Sequence, residues 1–198
     1  MSYLLGLTGG IGMGKSTAAQ MFSDLSHPVW DADAAVHRLY APGGAAVAPV
    51  AAAFPGVLKD GGIDRAALRE ALAADPTGFA RLEAIVHPLV AEDRTAFIAA
   101  HEAAPIVVLD IPLLFEGGSE RQMDGVAVVS APPEVQRARV LARPGMTEEN
   151  FRMILSRQMP DAEKRKRADW VIPSDTLTGA RAAIMDICAR IMAKRPHA

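Results

Sequence analysis

The fold is decided by the stretch Leu4-Leu5-Gly6-Leu7-Thr8-Gly9-Gly10-Ile11-Gly12-Met13-Gly14-Lys15-Ser16-Thr17, which joins an apolar run, a glycine-rich loop and a helix start. From Gly9 to Ser16 the residues fit the pattern G-x-x-x-x-G-K-[ST], in which successive backbone N–H groups close around phosphates. A glycine-rich turn that binds nothing is the alternative. A true motif requires a strand before it and a helix after it, and the sequence has both signals. The stretch therefore predicts a P-loop that binds a nucleotide.

Each part of the predicted P-loop has a physical role. The glycines allow dihedral angles that a Cβ atom would forbid, and they leave room for phosphate oxygens near the main chain. Lys15 supplies a mobile positive charge, and Ser16 offers a hydroxyl to Mg²⁺. The helix that starts here directs its unpaired N–H groups and its positive dipole end at the same phosphates. We expect Lys15 to be exposed, with its charge balanced only when phosphate is bound.

The size and composition of the chain limit what it can be. Its 198 residues suffice for one well-buried core and one nucleotide-binding unit, with room for a small insertion. A formal net charge of −2 gives no global basic field for nucleic acid or an anionic membrane surface. No apolar run is long enough to cross a bilayer. Cys188 is the single cysteine, and the sequence predicts that it is a buried inert thiol. The sequence has no basic leader segment, so we expect a soluble cytoplasmic protein.

Acidic residues follow two of the predicted strands. Pro28–Trp30 leads into Asp31 and Asp33, and as residues i and i+2 of an extended segment these carboxylates are expected to share a face. The strand 105–109 ends at Asp110, which suits a residue that holds Mg²⁺ or its waters, although a helix-capping Asp is the alternative. Because ligands of open α/β sheets bind beyond the carboxyl ends of the strands, we expect the acidic pair beside the P-loop.

The segment 42–104 breaks the alternation of strands and helices, and it reads as a helical insertion without a convincing strand. Asp64 is expected to cap one helix. A second helix is expected to start at Asp75-Pro76 and to end before His87-Pro88. His87 is a candidate site residue, with a surface or helix-capping role as the alternative.

The last third of the chain is rich in arginine and lysine. The helix predicted after the fourth strand should carry Arg139 and Arg143 on one face, where they can close over phosphate oxygens. Two short polar helices, 147–159 and 161–167, have an excess of positive charge and suggest a lid; a solvated face is the alternative for the run 164–167. A strand over 168–172, a closing helix over 177–194 and a frayed end at 196–198 complete the chain.

Five blocks of sequence occur in the order seen in one family. They are Gly9 to Thr17, Asp31-Ala32-Asp33, His87-Pro88, Pro112-Leu113-Leu114-Phe115-Glu116, and Gln158-Met159-Pro160 through Lys164. With these blocks the chain resembles dephospho-coenzyme A kinases nearly end to end. The resemblance implies transfer of the γ-phosphoryl group of MgATP to the ribose 3′-hydroxyl of dephospho-CoA. The products would be coenzyme A and ADP, in the last step of coenzyme A synthesis.

The resemblance also implies an architecture. It is an α/β fold whose five-stranded parallel sheet is flanked by helices, with a helical substrate-binding insertion and a two-helix lid. The expected single P-loop kinase unit comprises a core of residues 1–40, 105–136 and 168–198, the insertion 41–104 and the lid 137–167. Its implied partner is the small-molecule substrate dephospho-CoA, with no nucleic acid and no membrane, and the expected state is a monomer.

Site residues are carried over by their positions in this sequence. ATP is expected to bind to Gly10, Ile11, Gly12, Met13, Gly14, Lys15, Ser16 and Thr17, and Mg²⁺ to Ser16 and, from its place at a strand end, Asp110. The expected catalytic residues are Asp33 as the base, Lys15, Arg139 and Arg143. The expected substrate-binding residues are Asp33, His87, Pro112 and Leu113.

The chain departs from the family pattern at two places. Met13 stands where the family usually has Ser or Thr; this loop position contributes mainly backbone, so little effect is expected. Pro173-Ser174-Asp175 stands where the family commonly has Asp-Asn or Asn-Asn followed by a small residue and Gly. The residues that contact adenine are therefore not predicted.

Other functional classes stay open at this stage. A nucleoside or nucleotide kinase would share the core, the lid and the insertion. A regulatory switch of the GTPase kind would need an Asn-Lys-x-Asp motif after a strand, which this sequence lacks. A P-loop protein without activity would be expected to lack Lys15 or the acidic pair, and this chain has both.

Overall fold

The computed structural model describes residues 2–194, and the frayed end predicted at 196–198 lies outside these residues. In chain order the elements are β1 (Tyr3–Thr8), α1 (Lys15–Asp24), β2 (Val29–Asp31), α2 (Ala32–Tyr40), α3 (Val47–Ala53), β3 (Leu58–Lys59), β4 (Gly62–Ile63), α4 (Arg65–Ala74), α5 (Gly78–Ala100), β5 (Ile106–Asp110), a 3₁₀ turn (Ser119–Gln122), β6 (Gly125–Ser130), α6 (Pro133–Leu141), α7 (Glu148–Ser156), α8 (Asp161–Arg167), β7 (Trp170–Pro173) and α9 (Leu177–Lys194).

A parallel sheet has the strand order β2-β5-β1-β6-β7 within the described residues. This confirms the predicted α/β fold. β1 lies at the centre, where Leu5 is in register with Val108 of β5 and with Gly125 of β6. Leu5 and Leu7 are fully buried, as expected for a parallel strand that is covered on both faces. The carboxyl end of β1 therefore presents the P-loop at the middle of one sheet edge.

The main hydrophobic core joins the sheet to α1 and α9. On α9 the side chains of Ile184, Ile187, Cys188 and Ile191 are buried in one cluster with Phe22 of α1, as their helical spacing predicted. Burial raises the pKa of the Cys188 thiol to about 11. The thiol is therefore protonated at neutral pH, where it is a poor nucleophile. The prediction of a buried thiol is confirmed.

The chain divides into two compact units. One is built from the residues up to Trp30 and from His101 onward, and the other is Asp31–Ala100. The unit 31–100 has a hydrophobic core of its own, which includes Phe54 and Leu68. Asp64 caps α4 as predicted, because its Oδ1 atom accepts hydrogen bonds from the N–H groups that open the helix. The finer division into core, insertion and lid stays a prediction.

A short β-hairpin lies inside the unit 31–100. β3 and β4 pair antiparallel, with Leu58 opposite Ile63. The turn between them contains Asp60 at φ 50° and Gly61 at φ 80°, and two adjacent residues with positive φ are what a tight hairpin turn requires. The prediction that the segment 42–104 contains no strand is therefore wrong. Each strand is only two residues long, so alternation of apolar and polar residues gave no signal.

Helix α5 runs through a proline. The predicted end before His87-Pro88 is wrong, because the helix continues from Gly78 to Ala100 with Pro88 inside it. Proline removes one N–H donor from the helix and disfavours a continuous turn. Here Val86, Leu89 and Val90 on both sides of Pro88 pack into the core of the unit. Tertiary packing has overridden the local preference.

Candidate active site

The P-loop connects β1 to α1. Gly12 and Gly14 have φ values of 75° and 87°, in the left-handed region that glycine adopts without strain. Gly14 is the residue before α1, and no side chain caps that helix within the described residues. The first backbone N–H groups of α1, those of Lys15, Ser16 and Thr17, have no partner inside the helix. They are therefore available to bind an anion at the positive end of the helix dipole.

Lys15 is paired with a carboxylate of the protein. Its Nζ atom contacts Oδ1 of Asp110, and the two side chains are 16% and 2% exposed. The neighbouring strands β1 and β5 bring these residues together, since Leu7 is in register with Asp110. The expectation that Lys15 is exposed, with a charge balanced only by phosphate, is wrong. Lys15 and Asp110 are far apart in the sequence, so no local pattern predicted this contact.

Met13 contributes more than backbone to the loop. Its side chain is 2% exposed, and its Sδ atom accepts a hydrogen bond from the N–H group of Ala131 at 3.1 Å. Its carbonyl oxygen accepts a hydrogen bond from Oγ of Ser174 at 2.6 Å. The segment that departs from the family pattern, 173–175, is thus attached directly to the P-loop. Neither contact was predicted.

Arg139 is held beside the P-loop. Its guanidinium donates hydrogen bonds to Oγ and to the carbonyl oxygen of Ser174, at 3.1 and 2.5 Å. A Cβ atom built on Gly14 would lie 3.6 Å from Nη1 of Arg139. Arg139 is therefore placed close to the residue that precedes Lys15.

Arg143 does not share a helix face with Arg139. Helix α6 ends at Leu141, so the prediction of one face for both arginines is wrong. The residue before a proline is disfavoured in the α conformation, and Pro144 follows Arg143 directly. Arg143 is exposed in the turn after the helix.

Two glutamines that were not assigned a role contact Ile11 of the P-loop. Oε1 of Gln158 accepts a hydrogen bond from the N–H group of Ile11 at 3.0 Å. Nε2 of Gln136 donates to the carbonyl oxygen of Ile11 at 2.8 Å. Both side chains line a cavity of about 300 Å³, whose lining also includes Gly10 and Asp161. Gln158 belongs to a block that supported the family resemblance, but only the fold brings it to the loop.

A buried ion pair connects the segment after β5 to α8. Nζ of Lys164 lies 2.8 Å from Oε1 of Glu116, and Lys164 is 0% exposed. The geometry is that of an ion pair rather than of an aligned hydrogen bond. The same Oε1 atom accepts a hydrogen bond from the N–H group of Met159 at 2.8 Å. The basic run 164–167 is therefore not a uniformly solvated face.

Replacement of Glu116 by Gln is expected to destabilise the protein by about 3 kcal/mol at neutral pH, because it leaves the buried Lys164 ammonium without its counter-charge. Burial raises the pKa of Glu116, but the Lys164 ammonium and the Met159 N–H group outweigh burial, so that the pKa lies below its ordinary value of 4.5. This contribution to stability is therefore complete above pH 4.5 and is lost as the pH falls through the lowered pKa. Urea unfolding at a series of pH values measures it.

The control for this prediction is Glu163→Gln. Glu163 pairs with Lys166 on the exposed side of α8, where an ion pair contributes little. Its unfolding curve at neutral pH should match that of the wild type. Equal effects of Glu116→Gln and Glu163→Gln would contradict the role given to the buried pair.

The remaining predicted site residues lie at several places. Asp31 precedes α2, and its Oδ1 atom accepts a hydrogen bond from the N–H group of Ala34 at 2.9 Å. Asp33 is exposed in the first turn of α2, so the predicted extended arrangement of the acidic pair is wrong. Asp is a preferred N-cap residue, and α2 begins at Ala32, directly after the last residue of β2. Asp33 belongs to the unit 31–100.

His87, Pro112 and Leu113 are the other expected substrate contacts. His87 is exposed on α5 within the unit 31–100. Pro112 follows β5, where its carbonyl oxygen accepts a hydrogen bond from Oγ1 of Thr8 at 3.0 Å. Leu113 is a large apolar side chain that is 48% exposed. Their role in substrate binding stays a prediction.

Few protein groups are available as metal ligands. Across the described residues, no group of three or more His, Cys, Asp or Glu side chains is arranged to hold a metal ion. Mg²⁺ usually takes one or two carboxylates and completes its coordination with substrate phosphates and water. Asp110 is buried and paired with Lys15, and Ser16 is exposed; their binding of Mg²⁺ stays a prediction. Among residues 2–194, none of the helices has both the length and the apolar character that a membrane crossing needs.

Comparison with known proteins gives one consistent result. A family model described as dephospho-CoA kinase matches residues 3–179. The chain belongs to the dephospho-CoA kinase family. A dephospho-CoA kinase of Cereibacter sphaeroides is 60% identical over 96% of this chain and 95% of its own length. That of Jannaschia sp. is 58% identical over 96% of this chain and 98% of its own length.

A solved structure extends the likeness to the fold. The crystal structure of TT1252 from Thermus thermophilus has a TM-score of 0.82 and 35% sequence identity to this chain. It covers 98% of this chain, and the match takes in 99% of that protein. The predicted family and the kinase class are therefore confirmed by the family model and by the similar proteins of known name.

Proposed function

We propose that this chain transfers the γ-phosphoryl group of MgATP to the ribose 3′-hydroxyl of dephospho-CoA. The observation that carries this proposal is the P-loop before the uncapped start of α1, with Lys15 beside Asp110, in a member of the dephospho-CoA kinase family. The P-loop alone supports only nucleotide binding, since many kinases share it. Membership of the family supports the identity of the acceptor.

The P-loop side of the site acts on ATP in this proposal. The backbone of residues 10–17 binds the phosphates, and Lys15 adds a positive charge that Asp110 already orients. Ser16 and Asp110 would hold Mg²⁺, and the ion would supply positive charge that offsets part of the negative charge of the phosphates. Arg139, whose guanidinium bonds to Ser174 beside the P-loop, is proposed to stabilise the charge of the transferred group.

The acceptor is handled by other residues. Asp33 is proposed as the base that orients the ribose hydroxyl and takes its proton, because a neutral hydroxyl is a weak nucleophile. His87, Pro112 and Leu113 are proposed to bind dephospho-CoA. Asp33 is exposed, as a group that must meet a substrate has to be. We also propose that the chain works as a monomer in the cytoplasm, which light scattering and cell fractionation would test.

An assay of ADP formation tests the proposed function. The purified protein is mixed with MgATP and, separately, with dephospho-CoA, adenosine, AMP or shikimate. We expect ADP formation with dephospho-CoA and with none of the other three acceptors. Faster turnover with adenosine or AMP would make the protein a nucleoside or nucleotide kinase. Absence of turnover with all four would contradict the proposal.

Replacement of Arg139 by Lys is expected to lower kcat about tenfold or more, with a smaller change in the KM for ATP. Arginine presents a planar fork with several donors, and lysine cannot reproduce it. The matched control is Arg137→Lys, since Arg137 is exposed on the same helix and pairs with Glu148. Steady-state kinetics with both substrates measures the effect. An unchanged kcat with weaker binding of dephospho-CoA would instead make Arg139 a substrate clamp.

A further inference from the structure

The connection between α7 and α8 is attached to two loops of the site. We call residues Arg157–Pro160 the α7–α8 junction. Within it, Oε1 of Gln158 accepts the N–H group of Ile11 in the P-loop. The next residue, Met159, donates its N–H group to Glu116 in the segment after β5. Consecutive residues of one short connection thus hold two loops that follow neighbouring strands of the sheet.

Ile11 is held from both sides of its backbone. Gln136, which is buried on α6, donates to the carbonyl oxygen of Ile11 while Gln158 accepts from its N–H group. A Cβ atom built on Gly10 would lie 3.4 Å from the end of each glutamine. The two side-chain amides therefore enclose the first half of the P-loop, and they come from two separate helical segments.

Such contacts matter most in a glycine-rich loop. Glycine loses more conformational freedom than other residues when it becomes ordered, and the segment 9–14 contains four glycines. Side-chain hydrogen bonds that order this segment before ATP arrives reduce the conformational entropy that binding must overcome. The ordered loop stabilises the ground-state and transition-state complexes with ATP equally, because both complexes need it.

We propose that Gln158 is a positioning residue that holds the P-loop in its nucleotide-binding conformation from the α7–α8 junction. This inference rests on the nucleotide binding in the proposed function, and it assigns a role to a residue that does not touch the reacting atoms. Glu116, through Met159 and Lys164, fixes the junction from the other side. Gln158 is thereby held in place to accept the Ile11 N–H group.

The variant Gln158→Met tests this role, because methionine has a similar shape and lacks the amide acceptor. We expect the Kd for ATP, measured by calorimetry, to rise about three- to tenfold, which is the range for loss of one hydrogen bond. The kcat should stay within about twofold of the wild type, because a uniform loss of binding changes KM and leaves kcat unchanged. Amide hydrogen exchange should become faster in the peptide that contains Ile11 and stay unchanged in α9.

Two further variants make the test specific. Gln20→Met is the matched control, since Gln20 is exposed on α1 and bonds only to Asp24 of its own helix among the contacts described; its Kd and exchange should equal those of the wild type. Gln158→Glu keeps an oxygen acceptor, and a charged acceptor strengthens the bond to an N–H group. Its exchange at Ile11 should therefore be as slow as in the wild type or slower.

Three results would overturn the inference. They are an unchanged Kd and exchange rate in Gln158→Met, a loss confined to kcat, or faster exchange throughout the molecule, including α9, which would make the role of Gln158 merely structural. The ATP measurements need no acceptor substrate. Failure of the wild type to phosphorylate dephospho-CoA would thus contradict the proposed function without affecting the reading for Gln158.

Discussion

Replacement of Asp33 by Asn is expected to lower kcat by at least about a hundredfold, because general-base catalysis contributes about 10²- to 10⁴-fold. Asn keeps the shape of the side chain and loses its basicity. The fold should be unaffected, since Asp33 is exposed and the cap of α2 is provided by Asp31. Single-turnover kinetics with saturating ATP and dephospho-CoA measures the loss at the chemical step.

The other carboxylates serve as comparisons for Asp33. Asn is as good an N-cap residue as Asp, so Asp31→Asn keeps α2 capped and should lose less kcat than Asp33→Asn. Loss of a metal partner, as in Asp110→Asn, should be partly relieved by excess Mg²⁺, whereas loss of a base should not be. If Asp33→Asn keeps its kcat, or if excess Mg²⁺ restores it, the base must be sought at Asp31, at Asp110 or at the phosphate itself.

Lys15→Ala is expected to abolish kinase activity, because the phosphates lose the side-chain charge within the P-loop. It is also expected to destabilise the protein by about 3 kcal/mol, because it removes the cation that faces the buried Asp110 carboxylate. An exposed lysine would have had almost no effect on stability. Thermal unfolding and ADP release, measured on the same preparation, separate the two effects.

The double variant Lys15→Ala/Asp110→Asn provides the control for stability. The second substitution removes the carboxylate charge that has lost its ammonium partner, so most of the lost stability should return while activity stays absent. Turnover close to that of the wild type in Lys15→Ala would contradict the P-loop assignment. An unchanged unfolding free energy would show that the ion pair contributes nothing to the fold.

Local sequence signals were sufficient for most of the architecture. Continuous apolar runs predicted the strands of the parallel sheet, because strands buried on both faces need no polar positions. The closing helix 177–194 was predicted with the bounds that the structure gives it, since its apolar residues recur with helical spacing. The P-loop was predicted because its pattern, its strand and its helix are adjacent in the chain.

Predictions failed where the answer depended on distant residues or on competing local preferences. The contacts of Lys15 with Asp110 and of Ile11 with Gln158 join residues far apart in sequence, and no local pattern encodes such pairs. Pro88 predicted a helix end, but packing of the residues around it kept α5 continuous. Asp33 was assigned to an extended segment because a capping residue and a strand residue look alike in an Asp-Ala-Asp sequence.

The central place of β1 in the sheet also determines when its strand pairs can form during synthesis. β1 leaves the ribosome before its two partner strands, which pair with it at Ile106 and at Gly125. The unit 31–100 has its own core and can collapse while β1 still waits for roughly a hundred residues of chain, a long loop to close. Because a ligand stabilises only the state that binds it, ATP cannot assist folding until β5 has been made.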